Sequence, residues 1–266
     1  MKERDSMRNI MLGSIAKKIS DAKDFSIFFI GDSITEGFCA TDAENTYVAV
    51  FAREIAKRFE GRRVIRFDGQ RQLADDSELL CLKDYGDAVE VQDGKDGTLT
   101  IVRSGIGGNT VQRMLNRKRD FICREVGGRD ADLFIINVGI NDALFSDPKK
   151  YVTVDVYGKN LEILIEDIEQ GMSDTDIILV TPSYNDLGLS DESCLDGYSD
   201  MMKSVARKRN IPVIDLHKVW MEHLVVGGEN YGQGDWLTGN KGDSCHPCDK
   251  GHAVIADVLI KNIFGS

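Results

Sequence analysis

Four histidines limit the possible general bases in this chain, and one of them has a carboxylate at a useful spacing. Asp243 lies three residues before His246, in a glycine-containing loop just ahead of the last predicted helix. A carboxylate at that spacing can hold the Nδ1 side of the imidazole while Nε2 accepts a proton from a nucleophilic hydroxyl. His217 follows a predicted strand and is the second candidate base. An isolated Asp-x-x-His pair more often caps a helix, so the base assignment depends on a matching nucleophile.

Ser33 is the candidate nucleophile because it directly follows the first predicted strand, in the sequence Gly-Asp-Ser-Ile-Thr-Glu-Gly. A serine at the carboxyl end of a strand can present its hydroxyl at the edge of a sheet. The same residues also fit a capping box, in which Ser33 only starts a helix and Glu36 completes the cap. The tripeptide Gly-Asp-Ser occurs again at residues 242–244, so the motif alone does not choose between these interpretations.

Two further loops contain groups that could stabilise an oxyanion. Residues 104–110 follow a predicted strand and precede a helix, so backbone N–H groups around Gly108 can point at an anion. Residues 139–142 follow the next strand and add the side-chain amide of Asn141. The glycines of the first loop are spaced G-x-G-G rather than G-x-G-x-x-G, which gives dinucleotide binding little support. An ordinary Asn-Asp turn is the alternative for Asn141.

These loops need strands whose ends meet at one edge of a sheet. Six short apolar segments lack helical spacing and are predicted as buried strands, namely residues 25–30, 64–67, 99–102, 133–138, 177–180 and 213–216. Four segments have apolar residues at helical spacing, namely residues 48–59, 111–122, 161–168 and 255–263. The alternation predicts an α/β fold with a parallel sheet covered on both faces. In such sheets ligands bind at the carboxyl ends of the strands.

Two segments interrupt this alternation. Residues 68–97 form an acidic insertion, in which two Asp-Gly pairs separate the β-like residues 88–91 and 98–102, and this pattern predicts a β-hairpin. Residues 227–242 carry six glycines together with Tyr231 and Trp236 and are predicted to form a loop. Because no internal repeat or linker divides the sequence, residues 1–266 are expected to form a single domain.

Composition narrows the possible partners and compartments. The 266 residues carry 33 Lys and Arg against 44 Asp and Glu, and the net charge of −11 opposes binding to nucleic acid or to an anionic membrane surface. The first twenty residues mix charges throughout and lack the apolar stretch of a signal peptide. No apolar run approaches the ~20 residues of a membrane span. We therefore expect a cytoplasmic protein whose six cysteines are thiols.

The combination and order of these blocks resemble the SGNH hydrolase superfamily, also called GDSL lipases and esterases. The similarity spans residues 31–247. It implies a flavodoxin-like three-layer α/β/α sandwich with a five-stranded parallel sheet, to which this chain adds a small β-hairpin insertion. By resemblance, Ser33 is the nucleophile, His246 is the base, and Asp243 is the carboxylate that orients the base.

The resemblance also assigns an oxyanion hole and an activity. The N–H groups of Ser33 and Gly108 and the amide of Asn141 are its expected donors. The implied reaction is ester hydrolysis through an acyl-enzyme, with no metal or cofactor. Ser104 stands where the second block of the family often has Asn, which leaves the shape of the substrate open.

For the substrate, we expect a small-molecule or oligosaccharide ester with a short acyl group, such as an acetylated carbohydrate. Asp32 and Asn109 adjoin the catalytic blocks, and Tyr231 and Trp236 could be platforms for a sugar, so these four are the candidate substrate-binding residues. A lysophospholipase or thioesterase is one alternative. A non-catalytic module that binds an anion or a sugar on the same fold is another.

The segment Cys245-His246-Pro247-Cys248 permits two competing interpretations of the C-terminal loop. A C-x-x-C pair before a helix could be a dithiol redox site. A zinc site could combine the two cysteines with His246 and His252. The zinc site would prevent His246 from acting as a base, and the redox motif normally follows a strand rather than a glycine-rich loop. We favour two cysteines that flank the catalytic histidine without a shared function.

Overall fold

A computed structural model of the protein describes residues 2–73, 80–118, 121–122, 125–144, 147–183, 193–227, 236 and 245–265. Its strands are β1 (Phe25–Gly31), β2 (Arg63–Asp68), β3 (Gln70–Leu73), β4 (Leu80–Asp84), β5 (Val89–Gln92), β6 (Thr98–Gly105), β7 (Leu133–Asn137), β8 (Asp176–Val180) and β9 (Val213–Ile214). Its helices are α1 (Lys2–Asp21), α2 (Ser33–Glu36), α3 (Tyr47–Arg58), α4 (Val111–Asn116), α5 (Val154–Gly171), α6 (Ser193–Arg209), α7 (Leu216–Gly227) and α8 (Asp249–Phe264), with a 3₁₀ turn at Ala43–Asn45.

The large sheet runs in the order β5-β2-β6-β1-β7-β8-β9. All of its neighbouring strands are parallel except β5, which pairs antiparallel with β2 at one edge. The six strands predicted from the sequence are the six parallel strands, so that prediction is confirmed. The expected count of five is wrong, because the two-residue β9 and the antiparallel β5 extend the two edges.

Helices cover both faces of the sheet, as predicted for a three-layer sandwich. The helices α1, α3 and α8 pack together, and the helices α4, α5 and α6 pack together as a second group. Every residue of β1 and β7 is buried, because central parallel strands are covered on both faces. Phe29 of β1 shows this packing, with its ring centroid 5.0 Å from that of Phe51 on α3. No helix in the described ranges has the length and apolar character needed to cross a membrane.

Two local predictions differ from the structure. The predicted helix over residues 111–122 ends at Asn116. Phe121 and Ile122 are buried nevertheless, because they belong to a separate turn that follows the helix. The predicted hairpin between residues 88–91 and 98–102 is also wrong, because β2 lies between β5 and β6 in the sheet. The segment with the two Asp-Gly pairs instead passes the amino end of β2, where the Asp96 N–H donates to the Gly61 carbonyl at 3.0 Å.

A hairpin does occur in the inserted segment, but other residues form it. The strands β3 and β4 pair antiparallel as a separate two-stranded sheet. Ion pairs connect the strand before this hairpin to the body of the protein. The buried Arg66 contacts Glu44 at 2.6 Å, and Asp68 accepts from Arg103 at 2.8 Å.

Candidate active site

The central feature of the site is a hydrogen bond between the predicted nucleophile and the predicted base. Ser33 Oγ lies 2.8 Å from His246 Nε2, across 213 positions of sequence. Ser33 is the first residue of α2, directly beyond the carboxyl end of β1. The capping-box interpretation of Ser33 is wrong, because Asp32 is the N-cap and its carboxylate accepts from the Ile34 N–H at 3.0 Å. The serine hydroxyl therefore contacts the histidine.

Glycines allow the backbones to approach closely around this serine. A Cβ at Gly31 would lie 2.3 Å from the Asn137 carbonyl oxygen. A Cβ at Gly105 would lie 2.1 Å from the Glu36 backbone nitrogen. Any side chain at either position would push the Ser33 turn away from the neighbouring strands.

The imidazole of His246 is held by residues before and after it in the sequence. Its ring lies edge-on to the ring of Phe38, with centroids 4.6 Å apart. The buried Cys245 places Sγ 3.4 Å from Nδ1. Two residues later in the loop, the Cys248 N–H donates to the Trp236 carbonyl at 3.0 Å. The predicted orienting carboxylate, Asp243, lies outside the described residues, so its role stays a prediction.

The second and third loops meet beside the nucleophile through side-chain amides. Asn141 Nδ2 donates to the Asn109 carbonyl at 3.0 Å, and Asn109 Nδ2 donates to the Gly31 carbonyl at 3.0 Å. An amide nitrogen carries two hydrogens, so the first bond fixes the orientation of Asn141 while the second hydrogen can serve an oxyanion. This network brings Asn141 to the same edge of the sheet as Ser33.

Gly108 has a backbone conformation that suits glycine, with φ of +75°. The preceding Gly107 N–H donates to Glu36 Oε2 at 2.7 Å, which connects this loop to α2. Arg113 Nη1 donates to the Gly108 carbonyl at 3.0 Å. The N–H of Gly108 therefore belongs to a loop that is fixed on both sides, as an oxyanion donor requires.

Two carboxylic acids are buried within these loops. Asp32 is 1% exposed and Asp142 is fully buried, and burial raises the pKa of each to about 7. The negative charge of Asp32 further raises the pKa of Asp142. Asp142 Oδ1 accepts from the Val111 N–H at 3.1 Å, so this carboxyl group connects the Asn141 loop to the start of α4.

His252 lies near His246 but has a structural environment. It is fully buried and stacks on Tyr47, and the Tyr47 N–H donates to its Nδ1 at 3.3 Å. Its Nε2 faces the Phe38 carbonyl at 3.4 Å. Burial lowers the pKa of His252 to about 4, so the ring is neutral at pH 7. These contacts fix the backbone of Phe38 against α8.

The other sequence candidates have different surroundings. His217, the second candidate base, is buried with Nδ1 2.7 Å from the Ser183 carbonyl and Nε2 2.7 Å from Asp196. Cys39, Cys245 and Cys248 are thiols rather than members of a disulfide. The part of the chain that the structure describes contains no group of three or more His, Cys, Asp or Glu residues arranged to hold a metal.

The structure describes three of the four candidate substrate-binding residues, and their role stays a prediction. Asp32 and Asn109 are almost fully buried in the hydrogen bonds described above. Trp236 stacks on His223 with centroids 3.4 Å apart and packs edge-on against Trp220, and Tyr231 lies outside the described residues. Sequence reasoning missed Phe38, whose side chain is 49% exposed beside His246. Its position directly after the Ser33 turn was the available signal.

A comparison with protein families matches residues 74–254 to the GDSL-like Lipase/Acylhydrolase family. The chain belongs to this family. The chain is therefore an ester-bond hydrolase. The matched region includes Gly108, Asn141 and His246 but begins after Ser33, so Ser33 is placed in the site by its hydrogen bond to His246.

Solved structures show the same fold. An acetyl xylan esterase from Geobacillus stearothermophilus has a TM-score of 0.62 and 21% identity, with 92% of this chain and 98% of that one covered. A lipase/acylhydrolase from Enterococcus faecalis has a TM-score of 0.59 and 23% identity, covering 90% and 95%. Another acetyl xylan esterase has a TM-score of 0.63 and 20% identity, covering 90% and 100%. No curated protein sequence matches the chain.

Proposed function

We propose that the protein is a serine esterase that removes short acyl groups, acetyl above all, from a carbohydrate or another small polar alcohol. The observation that carries the proposal is the 2.8 Å contact between Ser33 Oγ and His246 Nε2, at the edge of the sheet where the Gly108 and Asn141 loops converge. Geometry of this kind lets a neutral imidazole take the proton of a hydroxyl as it attacks a carbonyl.

The reaction proceeds in two stages. His246 accepts the proton of Ser33 as Oγ attacks the ester carbonyl, and the Ser33 N–H, the Gly108 N–H and the Asn141 amide stabilise the tetrahedral oxyanion. The imidazolium then protonates the departing alcohol and leaves an acyl-serine. In the second stage, His246 activates a water molecule that releases the acid. We assign Asp243 the role of orienting His246 through Nδ1.

The substrate class rests on two further points. The solved structures of similar fold include acetyl xylan esterases. In addition, the departing alcohol must lie next to His246, because that residue protonates it. The half-exposed ring of Phe38 stands there and offers a flat apolar surface of the kind that packs against the C–H face of a sugar.

A fluorophosphonate probe tests the nucleophile. Wild-type protein should gain one probe mass, which peptide mapping places on Ser33, and should hydrolyse p-nitrophenyl acetate. Ser33→Ala should lose both properties while unfolding at the same temperature. Ser20→Ala on the exposed face of α1 is the matched control and should keep both. Labelling that persists in Ser33→Ala, or tight sugar binding without any ester turnover, would contradict the assignment.

A series of p-nitrophenyl esters, assayed beside acetylated xylo-oligosaccharides, tests the acyl group. We expect the acetyl ester to have the highest kcat/KM. A preference for acyl chains of about eight carbons or more would instead favour the lysophospholipase or thioesterase alternative.

A further inference from the structure

Two cationic side chains converge beside Gly108. A methyl group placed on the Cα of Gly108 would lie 3.5 Å from Arg113 Nη1 and 3.7 Å from Lys150 Nζ. Arg113 belongs to α4, whereas Lys150 comes from the segment before α5, so two different elements bring positive charge to one point. That point adjoins the backbone to which we assign an oxyanion N–H. A substrate whose carbonyl oxygen reaches Gly108 therefore passes close to both cations.

One carboxylate of the protein already pairs with this cluster, so a carboxylate of a substrate would compete with it. Asp147 contacts Lys150 Nζ at 3.1 Å, and the hydrogen bond from Lys150, assisted by the charge of Arg113, lowers the pKa of Asp147. Lys150 and Arg113 therefore stabilise the charged form of the Asp147 carboxylate. Glu36 is a second carboxylate in the described part of these loops, and its Oε2 accepts the Gly107 N–H at 2.7 Å.

The local charge contrasts with that of the whole chain. A net charge of −11 repels anionic molecules at a distance. At physiological salt, however, charges beyond about 8 Å are largely screened, so a bound substrate responds mainly to the groups beside it. A negative group on a bound substrate would therefore respond to Lys150 and Arg113 more than to the net charge of the chain.

Building on the esterase function proposed above, we propose that Lys150 and Arg113 form a subsite for a carboxylate carried by the ester substrate close to its scissile carbonyl. Such a carboxylate has two possible sources. It can belong to the alcohol, as in an acetylated uronic acid, or to the acyl group, as in a hemiester of a dicarboxylic acid. The shared chemistry is an anionic ester, and matched substrates distinguish the two sources.

The experiment compares kcat/KM for three esters at physiological ionic strength, namely acetylated methyl glucoside, acetylated methyl glucuronoside and the hemisuccinate of methyl glucoside. We expect one anionic ester to exceed the neutral ester by about two- to fivefold, the range of a partly exposed ion pair. Lys150→Gln should lower that ratio towards one, because only Arg113 then remains in the subsite. Arg113 is left intact because it also supports the Gly108 carbonyl.

Two further variants separate substrate selection from a structural role. Lys18→Gln is the matched control, because Lys18 also forms a surface ion pair, with Asp176 at the amino end of β8, on the opposite edge of the sheet. It should keep the wild-type ratio. Asp147→Asn removes the competing carboxylate while the Asn oxygen can still accept the Lys149 N–H, so the ratio should rise. If Lys150 only tied the loop to Asp147, both Lys150→Gln and Asp147→Asn would lower the rates on all esters alike.

Each result of these experiments either supports or overturns the carboxylate subsite. Equal kcat/KM for the neutral and both anionic esters, or an equal loss on all three in Lys150→Gln, would overturn the subsite. If wild-type protein turned over no ester, the proposed function would have failed and the subsite would be decided by calorimetric titration with methyl glucuronoside, methyl glucoside and succinate. A carboxylate preference that Lys150→Gln reduces would support the subsite, and binding without such a preference would overturn it.

Discussion

The two sides of Ser33 are built in different ways. On the side proposed to hold the oxyanion, Asn109, Asn141 and Asp142 are each less than a tenth exposed, and hydrogen bonds connect them to β1 and α4. On the side proposed to hold the departing alcohol, Phe38 exposes about half of its side chain next to His246. In the proposed reaction, a buried network would therefore fix the acyl chemistry, whereas a solvent-exposed surface would select the alcohol.

The largest effect should come from the oxyanion side. Asn141→Ala removes a donor to the developing oxyanion, and kcat on p-nitrophenyl acetate should fall by about 100- to 1,000-fold. Asn262→Ala is the matched control, because that amide also donates to a backbone carbonyl but lies near the end of α8. A loss of less than about fivefold in Asn141→Ala would show that the two backbone N–H groups suffice.

The two buried carboxyl groups, Asp32 and Asp142, should lower the free energy of unfolding as the pH rises. Because burial raises the pKa of Asp32 and Asp142 to about 7, against 3.8 for an exposed Asp, these two groups hold more protons in the folded protein than in the unfolded chain between about pH 4 and 7. His252, whose pKa burial lowers to about 4, acts in the opposite direction, but it is one group against two, so the free energy of unfolding should still fall as pH rises through that window. Asp32→Asn keeps an N-cap oxygen and should reduce the fall by at least about 1 kcal/mol, roughly one pKa unit.

Urea titrations at several pH values measure this effect. Asp257→Asn, which changes an exposed carboxylate on α8, should keep the wild-type slope. An unchanged slope in Asp32→Asn would mean that Asp32 does not titrate between about pH 4 and 7.

The smallest effect should come from the exposed side. Phe38→Ala should raise KM for acetylated xylo-oligosaccharides by about two- to tenfold, as expected for one aromatic contact, and Phe38→Tyr should restore it. Ethyl acetate, whose alcohol is too small to cover the ring, separates binding from positioning of the base. Ile163→Ala, at an exposed apolar residue of α5, is the control and should leave both substrates unaffected. An equal loss on ethyl acetate would show that Phe38 acts through His246 instead.

The sequence predicted the parts of this protein that depend on local patterns and on the order of the motifs. Short apolar runs predicted all six parallel strands, because strands buried on both faces carry few polar residues. The resemblance to SGNH hydrolases, carried by the four blocks, implied that Ser33 and His246 would meet. The sequence left a capping box at Ser33 as an alternative, because Asp32 and Ser33 are both good N-cap residues, and only the structure shows that Asp32 bonds to the helix.

Other features depend on contacts between distant residues and left no local signal. The Asp-Gly pairs before β6 suit a hairpin, but pairing with β2 placed β5 at the far edge of the sheet. The packing of Trp236 on Trp220 and His223 had no signal in its glycine-rich segment, and its role as a sugar platform stays a prediction. The exposure of Phe38 follows from how its loop folds against α8, which its own neighbours in the sequence do not reveal.

The neutral histidine of α8 affects how the site responds to thermal motion. His252 receives the Tyr47 N–H and faces the Phe38 carbonyl, and it lies in the helix that begins three residues after His246. A small displacement of α8 should therefore carry the His246 imidazole and the neighbouring Phe38 ring in the same direction, so the spacing between the two rings should change less than their distance from the sheet.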